Sequence, residues 1–595
     1  MDINLLVSFY GVNVMTKKDV IQLLEKIAIY MELNGENTFK VSAYRKAAQS
    51  LEIDERSLDE IKDVTELKGI GKGVGEVISE YRETGTSSTL KELQRLVPEG
   101  LIPLMKIQGL GSKKIAKLYK ELNITDKEHL QEACEAGKVS ELSGFAKKTE
   151  QNILEAVKAL GAKKDHYPID LMRHLNKDIM TYLEQLEEVE HYSEAGSFRR
   201  YKEVSKDLDY IISTRHPLHV QQHLLNIPNK VKEVAVGETK VSLELEYDDE
   251  TIGVDFRLVE PEAFYHTLQH FTGSKDHNIR IRQLAKAQNE KVSEYGIEQQ
   301  DGTLLQFQSE AEIYQHFGRH WIAPAMREDG SEFDRDLNSI ITLDDIKGDL
   351  HMHTTYSDGA FSIREMIEAN IKKGYEYMVI TDHSKSLKVA HGLQVERLLR
   401  QNEEIKNLNE EYTEIDIYSG TEMDILPDGS LDYEDDILSQ LDYVIAAIHQ
   451  SFNQSEEEIM KRLEHACRNP YVRHIAHPTG RIIERREGYQ PNIEQLMQLA
   501  EETQTVMEIN ANPKRLDLNA ATVKKYPNIK LTINTDAHHV DHLDFMKYGV
   551  ATAQKGFVNK DRVINTMTRD AFKNFINNNI CLLYTSDAAD DLLCV

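Results

Sequence analysis

Apolar residues recur at three- and four-residue spacing from Met15 to about Leu160, as in Val20, Leu23, Leu24 and Ile27, which predicts a run of amphipathic helices. After Asp165 the pattern changes to short strands rich in Val, Ile and Tyr, among them Asp207–Ile212 and Gly253–Val259. Residues 327–347 are polar and charged, including Glu328-Asp329-Gly330-Ser331-Glu332, and read as a linker. Beyond it, apolar runs such as Tyr377–Ile380 alternate with helical patterns such as Glu457–Cys467, the order of an α/β barrel-like domain. The reading is a multidomain α/β chain, with blocks at 15–95, 96–160, 161–260, 261–326 and 348–580 around the linker.

Length and composition agree: 595 residues hold several domains of about 100–200 residues. With 40% hydrophobic residues, each can bury a core. No apolar run approaches the roughly 18–20 residues of a membrane span, and no secretory signal opens the chain. The four cysteines, Cys134, Cys467, Cys581 and Cys594, form no CxxC pair, which fits a reducing cytoplasm and excludes a Cys-based zinc site. No heptad seam appears, so a monomer is expected. The net charge of −29 argues against loose DNA binding, but it is uneven: −2 over residues 1–160, −14 over 161–350 and −13 over the rest. A DNA-binding N-terminal block therefore stays open.

Both ends read as non-native. Met15 followed by Thr-Lys-Lys-Asp looks like the natural start, which makes 1–14 an over-called leader. The tail 581–595 opens with ten residues that TGT CTC TTA TAC ACA TCT GAC GCT GCC GAC would encode, a string that resembles a transposon adapter.

Within the helical block one phrase recurs. Leu67-Lys68-Gly69-Ile70-Gly71-Lys72 and Ile107-Gln108-Gly109-Leu110-Gly111-Ser112-Lys113-Lys114 each lead into a helix, and Leu142-Ser143-Gly144-Phe145-Ala146 is a weaker copy. Glycines at these positions permit a tight turn, and the next helix start presents backbone N–H groups to a phosphate without reading bases. One such phrase could be a packing corner. Two with lysines beyond, Lys72, Lys113 and Lys114, point to non-specific DNA binding.

In the strand-rich block, alternation puts Asp207 and Asp209 on one face, and Asp255 comes from a second apolar strand. A lone DxD is often only two solvent-facing acids. Three carboxylates on neighbouring strands are a minimal holder for two Mg²⁺ ions, one for an attacking 3′-hydroxyl and one for a leaving pyrophosphate. Gly196-Ser197-Phe198-Arg199-Arg200 upstream adds backbone N–H groups, a hydroxyl and two arginines suited to a triphosphate. In this order of motifs, residues 15–320 resemble a family X DNA polymerase, with a nucleotidyltransferase palm at 161–260 and a nucleotide-selecting subdomain at 261–326. The resemblance implies that Gly196, Ser197 and Arg200 hold the triphosphate, that Phe271 and Gly273 line the sugar, and that Asn278 and Arg282 check the base pair and template. It also implies gapped or primed DNA and dNTPs as partners. Vertebrate gap-fillers carry a Schiff-base lysine where this chain has Val77, so lyase chemistry by that route is not expected. His270 stands where those relatives carry tyrosine.

The last block collects a second cluster at strand ends: His351 and His353, Asp358, His383, Glu422, His449, His477, Asp536 and His538. Imidazole plus carboxylate ligands suit Mn²⁺, Zn²⁺ or Fe²⁺ better than Mg²⁺ alone. The pattern resembles the PHP (polymerase and histidinol phosphatase) superfamily, a distorted β/α barrel. The resemblance implies up to three ions: His351, His353, Glu422 and Asp536 on one, Glu422, His449 and His477 on a second, Asp358, His383 and His538 on a third. His391, His465, His474 and His539 fall off the pattern, and Arg481 is a weaker candidate for substrate phosphate with a surface role as its rival. The function implied is gap-filling synthesis in DNA repair joined to Mn²⁺-dependent 3′–5′ degradation, with abasic-site cleavage as a further activity of such fusions; repair partners stay undefined. The alternatives are a small-molecule PHP phosphatase with a vestigial polymerase half, and a DNA-binding scaffold for a partner enzyme.

Overall fold

The computed structural model describes residues 15–577 except 16, 55, 57, 59, 108 and 160–163, so the leader and tail lie outside the described residues. The chain divides into two compact units, Met1–Ala162 with Thr354–Ser362, and Lys163–His353 with Ile363–Val595.

The first unit is helical, as its spacing predicts. Helices Lys17–Leu33 and Thr38–Ile53 precede Lys72–Thr84, Ser88–Leu96, Ser112–Leu122, Lys127–Glu135 and Lys147–Ala159. Side chains cap several starts: Asn37 accepts from Phe39 N–H, Ser87 from Leu90 N–H and Asp126 from His129 N–H. Leu23, Ile27 and Val77 share one apolar core with Leu110, Ile115 and Leu118, so 15–95 and 96–160 pack as a single body.

A two-residue strand, Tyr167–Pro168, opens the second unit and pairs with Val204–Ser205, but a helix, Ile169–Glu184, follows where further short strands were expected. Its buried residues Ile169, Met172, Leu175, Ile179 and Leu183 keep the three- to four-residue spacing, and the strands of the main sheet start only after it. They are β1 (His191–Glu194), β2 (Asp207–Ser213), β3 (Lys230–Val236), β4 (Lys240–Tyr247) and β5 (Glu250–Val259), in sheet order β1-β2-β5-β4-β3. β2 and β5 run parallel and the other neighbours antiparallel. Helices Phe264–Thr272 and Lys275–Ala287 follow.

Segment 327–347 differs from the linker expected of it. Arg327 is fully buried with Nη1 2.7 Å from Glu310, and Glu332 is buried against His277, 2.6 Å from its Nδ1. Phe333 and Ile340 join the core of Ile281, Ile313 and Tyr314. Arg327 and Glu332 are paired inside while Asp329, Asp334, Arg335, Asp336 and Asp344 stay exposed, which makes this segment a strap packed along one side.

The barrel follows: β6 (Gly348–Asp349), β7 (Tyr377–Ile380), β8 (Asp416–Asp424), β9 (Tyr443–Ala447), β10 (Val472–Ile475), β11 (Val506–Asn510) and β12 (Leu531–Asn534). All seven pair in chain order and in parallel, and a parallel bridge between Met352 and Ala537 joins the two edges. Strands β7 and β9 to β12 are buried at every position; β7 and β9 are accordingly unbroken apolar runs, whereas β10 to β12 also bury polar side chains such as His474, Glu508 and Asn534. Among the described residues no helix is long and apolar enough to cross a membrane.

Two candidate metal centres

The hairpin glycines do what their positions require. Gly69 and Gly109 have φ of +107° and +87°, and Gly71 and Gly111 cap the next helices with no side-chain bond, which leaves those N–H groups open. Gly144 keeps the turn at +94° although Ala146 follows it. Lys72 and Lys113 are exposed. Lys114 instead turns back, donating to the Gly109 carbonyl at 2.8 Å. Val77 is buried in the core.

In the palm, register sets the acids. Asp209 stands directly across from Asp255 on the parallel pair β2–β5, and Asp207 lies one pleat along, opposite Gly253. Ala195 N–H donates to the Asp209 carbonyl at 2.7 Å and seats the Gly-Ser turn against the strand. A Cβ on Gly196 would lie 2.1 Å from Asp209 Oδ2, and its φ is +61°, so only glycine fits. Burial and then repulsion from Asp207 and Asp255 push the Asp209 carboxyl up to about 6; burial and Asp255 also raise Asp207. Lys240 on β4 supplies one counter-charge, 2.7 Å from Asp255 Oδ2. Crowded carboxylates whose repulsion outruns their counter-charge fit divalent cations.

Around this triad, Ser197 Oγ donates to Ser205 Oγ at 2.9 Å and Arg200 Nη1 to the Thr272 carbonyl at 2.5 Å. Arg199, an equal of Arg200 in the sequence, is committed elsewhere: it donates two hydrogen bonds to the Glu310 carboxylate and one to Thr272 Oγ1. Gly273 ends its helix with φ +68°. Phe271 lies under the Arg257 guanidinium, 3.8 Å from the ring centre. Asn278 is held by Gln269 and the His270 carbonyl, while Arg282 is exposed.

In the barrel, the ends of β6 to β12 bring the predicted histidines and acids together around Glu422. Its Oε1 lies 2.7 Å from His477 Nε2 and 3.1 Å from His449 Nε2. Its Oε2 lies 2.9 Å from His383 Nδ1, 3.4 Å from His351 Nε2 and 3.5 Å from His353 Nε2. Asp536 Oδ1 lies 3.3 Å from His353 Nε2 and 3.6 Å from His538 Nδ1. The ligand atoms of His351, His353 and Glu422 fall within 4.8 Å of one another, as do those of His383, Glu422 and His449, and those of His353, His383 and His538. His353 and His383 thus each face two groups where the resemblance implied one. Asp358 is on the loop Thr354–Ser362 directly after His353, which groups with the first unit.

Burial alone would raise the Glu422 carboxyl, but His449, His383 and His351 outweigh it and hold it well below the usual range. Asp536 is held low in the same way by His351, His353 and His538. His351 Nε2 and Glu422 Oε2 are buried with no hydrogen-bond partner, which costs free energy unless something else satisfies them. Imidazole nitrogens and carboxylate oxygens converging this way fit bound metal ions. His477 and Asp536 both have positive φ, 29° and 53°, strain of the kind that functional sites hold.

Some groups escaped the sequence reading. Glu508 on β11 accepts from His351 Nδ1 at 2.8 Å, and His474, read as ordinary, lies 3.7 Å from the same carboxylate. A lone acid in the apolar run Val506–Asn510 was the available signal. Arg515 approaches Asp536 Oδ2 at 3.6 Å. Arg481 is spent on structure: it pairs with Glu203 at 2.7 and 3.1 Å and donates to the Leu516 carbonyl.

Comparison with known proteins follows this division. Residues 15–87 match the helix-hairpin-helix domain, 101–159 the SAM-like helix-hairpin-helix tandem, 267–328 the DNA polymerase beta thumb and 349–512 the PHP domain. A "DNA polymerase/3'-5' exonuclease PolX" of Bacillus subtilis (strain 168) is 54% identical over 570 residues, covering 95% of this chain and 100% of its own. A probable phosphatase of Thermoanaerobacter sp. (strain X514) is 28% identical over 37% of this chain and 89% of its own. A "Repair DNA polymerase X" of African swine fever virus (isolate Pig/Kenya/KEN-50/1950) is 28% identical over 27% of this chain and 87% of its own. By this identity and these domain matches, the chain belongs to the family X DNA polymerases that carry a C-terminal PHP domain.

Proposed function

We propose that this chain extends a primer 3′-hydroxyl across short gaps in DNA at the palm and removes 3′ nucleotides at the barrel. The observation that carries the reading is the coexistence in one unit of two separate clusters, the Asp209–Asp255 pair with its Gly196 turn and the Glu422-centred histidines. The phosphatase relative matches only 37% of the chain, whereas the Bacillus enzyme is matched through both halves.

Asp207, Asp209 and Asp255 would hold Mg²⁺, and His351, His353, Asp358, His383, Glu422, His449, His477, Asp536 and His538 would hold Mn²⁺ or Zn²⁺. When bound, such ions lower the pKa of a hydroxyl or water and neutralise phosphate charge. The chain's own groups do the rest. Ser197 and Arg200 grip the triphosphate, and Phe271 and Gly273 line the nucleotide. Asn278 leaves Gln269 to read the base edge, and Arg282, already exposed, meets the template. Glu508 fixes the tautomer of His351 by taking its Nδ1 proton in a hydrogen bond. Gly71 and Gly111 present open helix starts to the DNA backbone, with Lys72 and Lys113 beside them.

The test is a 5′-labelled primer on a one-nucleotide gap, with and without dNTPs, in Mg²⁺ or Mn²⁺. Asp207→Ala is expected to abolish extension and spare shortening, and His353→Ala to do the reverse. Loss of both from either substitution in a folded protein would refute two independent sites.

A further inference from the structure

Three cations from two domains converge on one carboxylate of the strap. Glu328 Oε2 lies 2.5 Å from Lys202 Nζ, and its Oε1 lies 3.3 Å from Lys555 Nζ and 3.8 Å from Arg200 Nε. Lys555 is the last residue of the helix Met546–Lys555, which belongs to the barrel domain, yet its ammonium is directed at the polymerase half. Arg200 Nε is buried with no hydrogen-bond partner. The strap is itself tied to the nucleotide-checking helix, since Ser274 Oγ donates to the Glu328 carbonyl and Ser274 N–H to that of Arg327.

Glu328 is one carboxylate against three cations, with Asp209 also acting on Arg200; Arg200 and Lys555 are largely buried, whereas the Lys202 side chain is 42% exposed. Burial brings the Lys555 ammonium down to about 8, with Glu328 opposing the shift and Lys202 and Arg200 adding to it. A polyphosphate carries the complementary charge and offers more acceptor oxygens than one carboxylate. Arg200 reaches from this cluster to Thr272 and passes 3.3 Å from where a Cβ of Gly273 would stand, so it opens onto the nucleotide site.

We propose that Lys555, from the C-terminal domain, is a phosphate-binding residue of the polymerase's nucleotide site. Glu328 holds Arg200, Lys202 and Lys555 together until the triphosphate of the incoming nucleotide takes its place. The inference rests on the polymerase reading above.

The experiment uses the full chain and titrates a fluorescent dATP analogue with competition by dATP, pyrophosphate and dAMP, beside KM for dATP on gapped DNA. Lys555→Met is expected to weaken dATP and pyrophosphate binding and to raise KM by a common factor of about ten, the size of one charge-assisted hydrogen bond. Binding of dAMP, which lacks the outer phosphates, stays the same, and Lys555→Arg recovers most of the loss. Glu328→Gln removes the competing carboxylate and is expected to tighten dATP several-fold, which keeps the idea testable if Lys555→Met folds poorly. Shortening of 3′ ends without dNTPs reports that the barrel is folded. Unchanged dATP binding in a folded Lys555→Met, an equal loss for dAMP, or no tightening in Glu328→Gln would each overturn the inference. Should the unaltered chain bind no dATP and extend nothing, the polymerase reading falls instead.

Discussion

Glu508 grips His351 from behind: its Oε1 lies 2.8 Å from Nδ1, while Nε2 on the far side of the ring faces Glu422 and Asp536, each at 3.4 Å. The carboxylate fixes which nitrogen can offer a lone pair, and it raises the basicity of that nitrogen. Glu508→Gln keeps the shape and loses the charge. Mn²⁺ affinity of the barrel, read by calorimetric titration, should fall about 10- to 100-fold with extension in Mg²⁺ unchanged. An unaltered affinity would remove Glu508 from the site's support.

Gly196 has no room for a methyl group, because Asp209 Oδ2 already occupies the place. Gly196→Ala should displace the carboxylate and cut kcat/KM for extension by about 100-fold, the usual cost of a small misplacement at a reacting centre. Degradation of 3′ ends serves as the control and should persist.

Lys113 and Lys114 are adjacent in sequence and different in use. Lys113 is 79% exposed in its side chain, whereas Lys114 donates to its own hairpin. Lys113→Ala should weaken duplex binding uniformly across sequences and lower the salt slope by about 1. Lys114→Ala should change the slope less and instead lower the thermal stability of the hairpin unit.

Glu310 joins Arg199 of the palm to Arg327 of the strap. Burial favours its neutral form, but Arg327 and Arg199 prevail and bring its carboxyl down to about 2. The folded value is below the unfolded one of 4.5, so its contribution is complete above that pH and fades as pH falls towards 2. Glu310→Ala strands two buried cations and should cost about 3–5 kcal/mol at neutral pH. Urea midpoints of the two proteins should converge on acidification, and a constant gap would contradict the assignment.

Much of this was legible before any coordinates. Repeated Gly-x-Gly phrases, alternating aspartates and acids or histidines near apolar runs are local signals: the glycines precede helix starts, Asp207 and Asp209 open one strand beside Asp255 in the middle of another, and Glu422 lies within its strand. Segment 327–347 was misread because composition cannot tell a solvated charge from one paired inside, and Arg327 and Glu332 find their partners only through the fold. Glu508 was missed for a related reason: its role depends on β11 lying beside the site of a histidine from β6, a neighbour far away in sequence. Arg199 and Arg200 were indistinguishable as letters, and only the position of Glu310 separates them.

The bridge between Met352 and Ala537 makes the barrel's opening and closing strands neighbours, so His351 and Asp536 meet across the full span of the domain. Synthesis proceeds from one to the other. The aspartates of the palm leave the ribosome well before the last residues of the barrel's cluster, whose set of side chains is complete only once His538 has been added. A message broken anywhere between yields a chain with the groups for adding nucleotides and none of the completed apparatus for removing them.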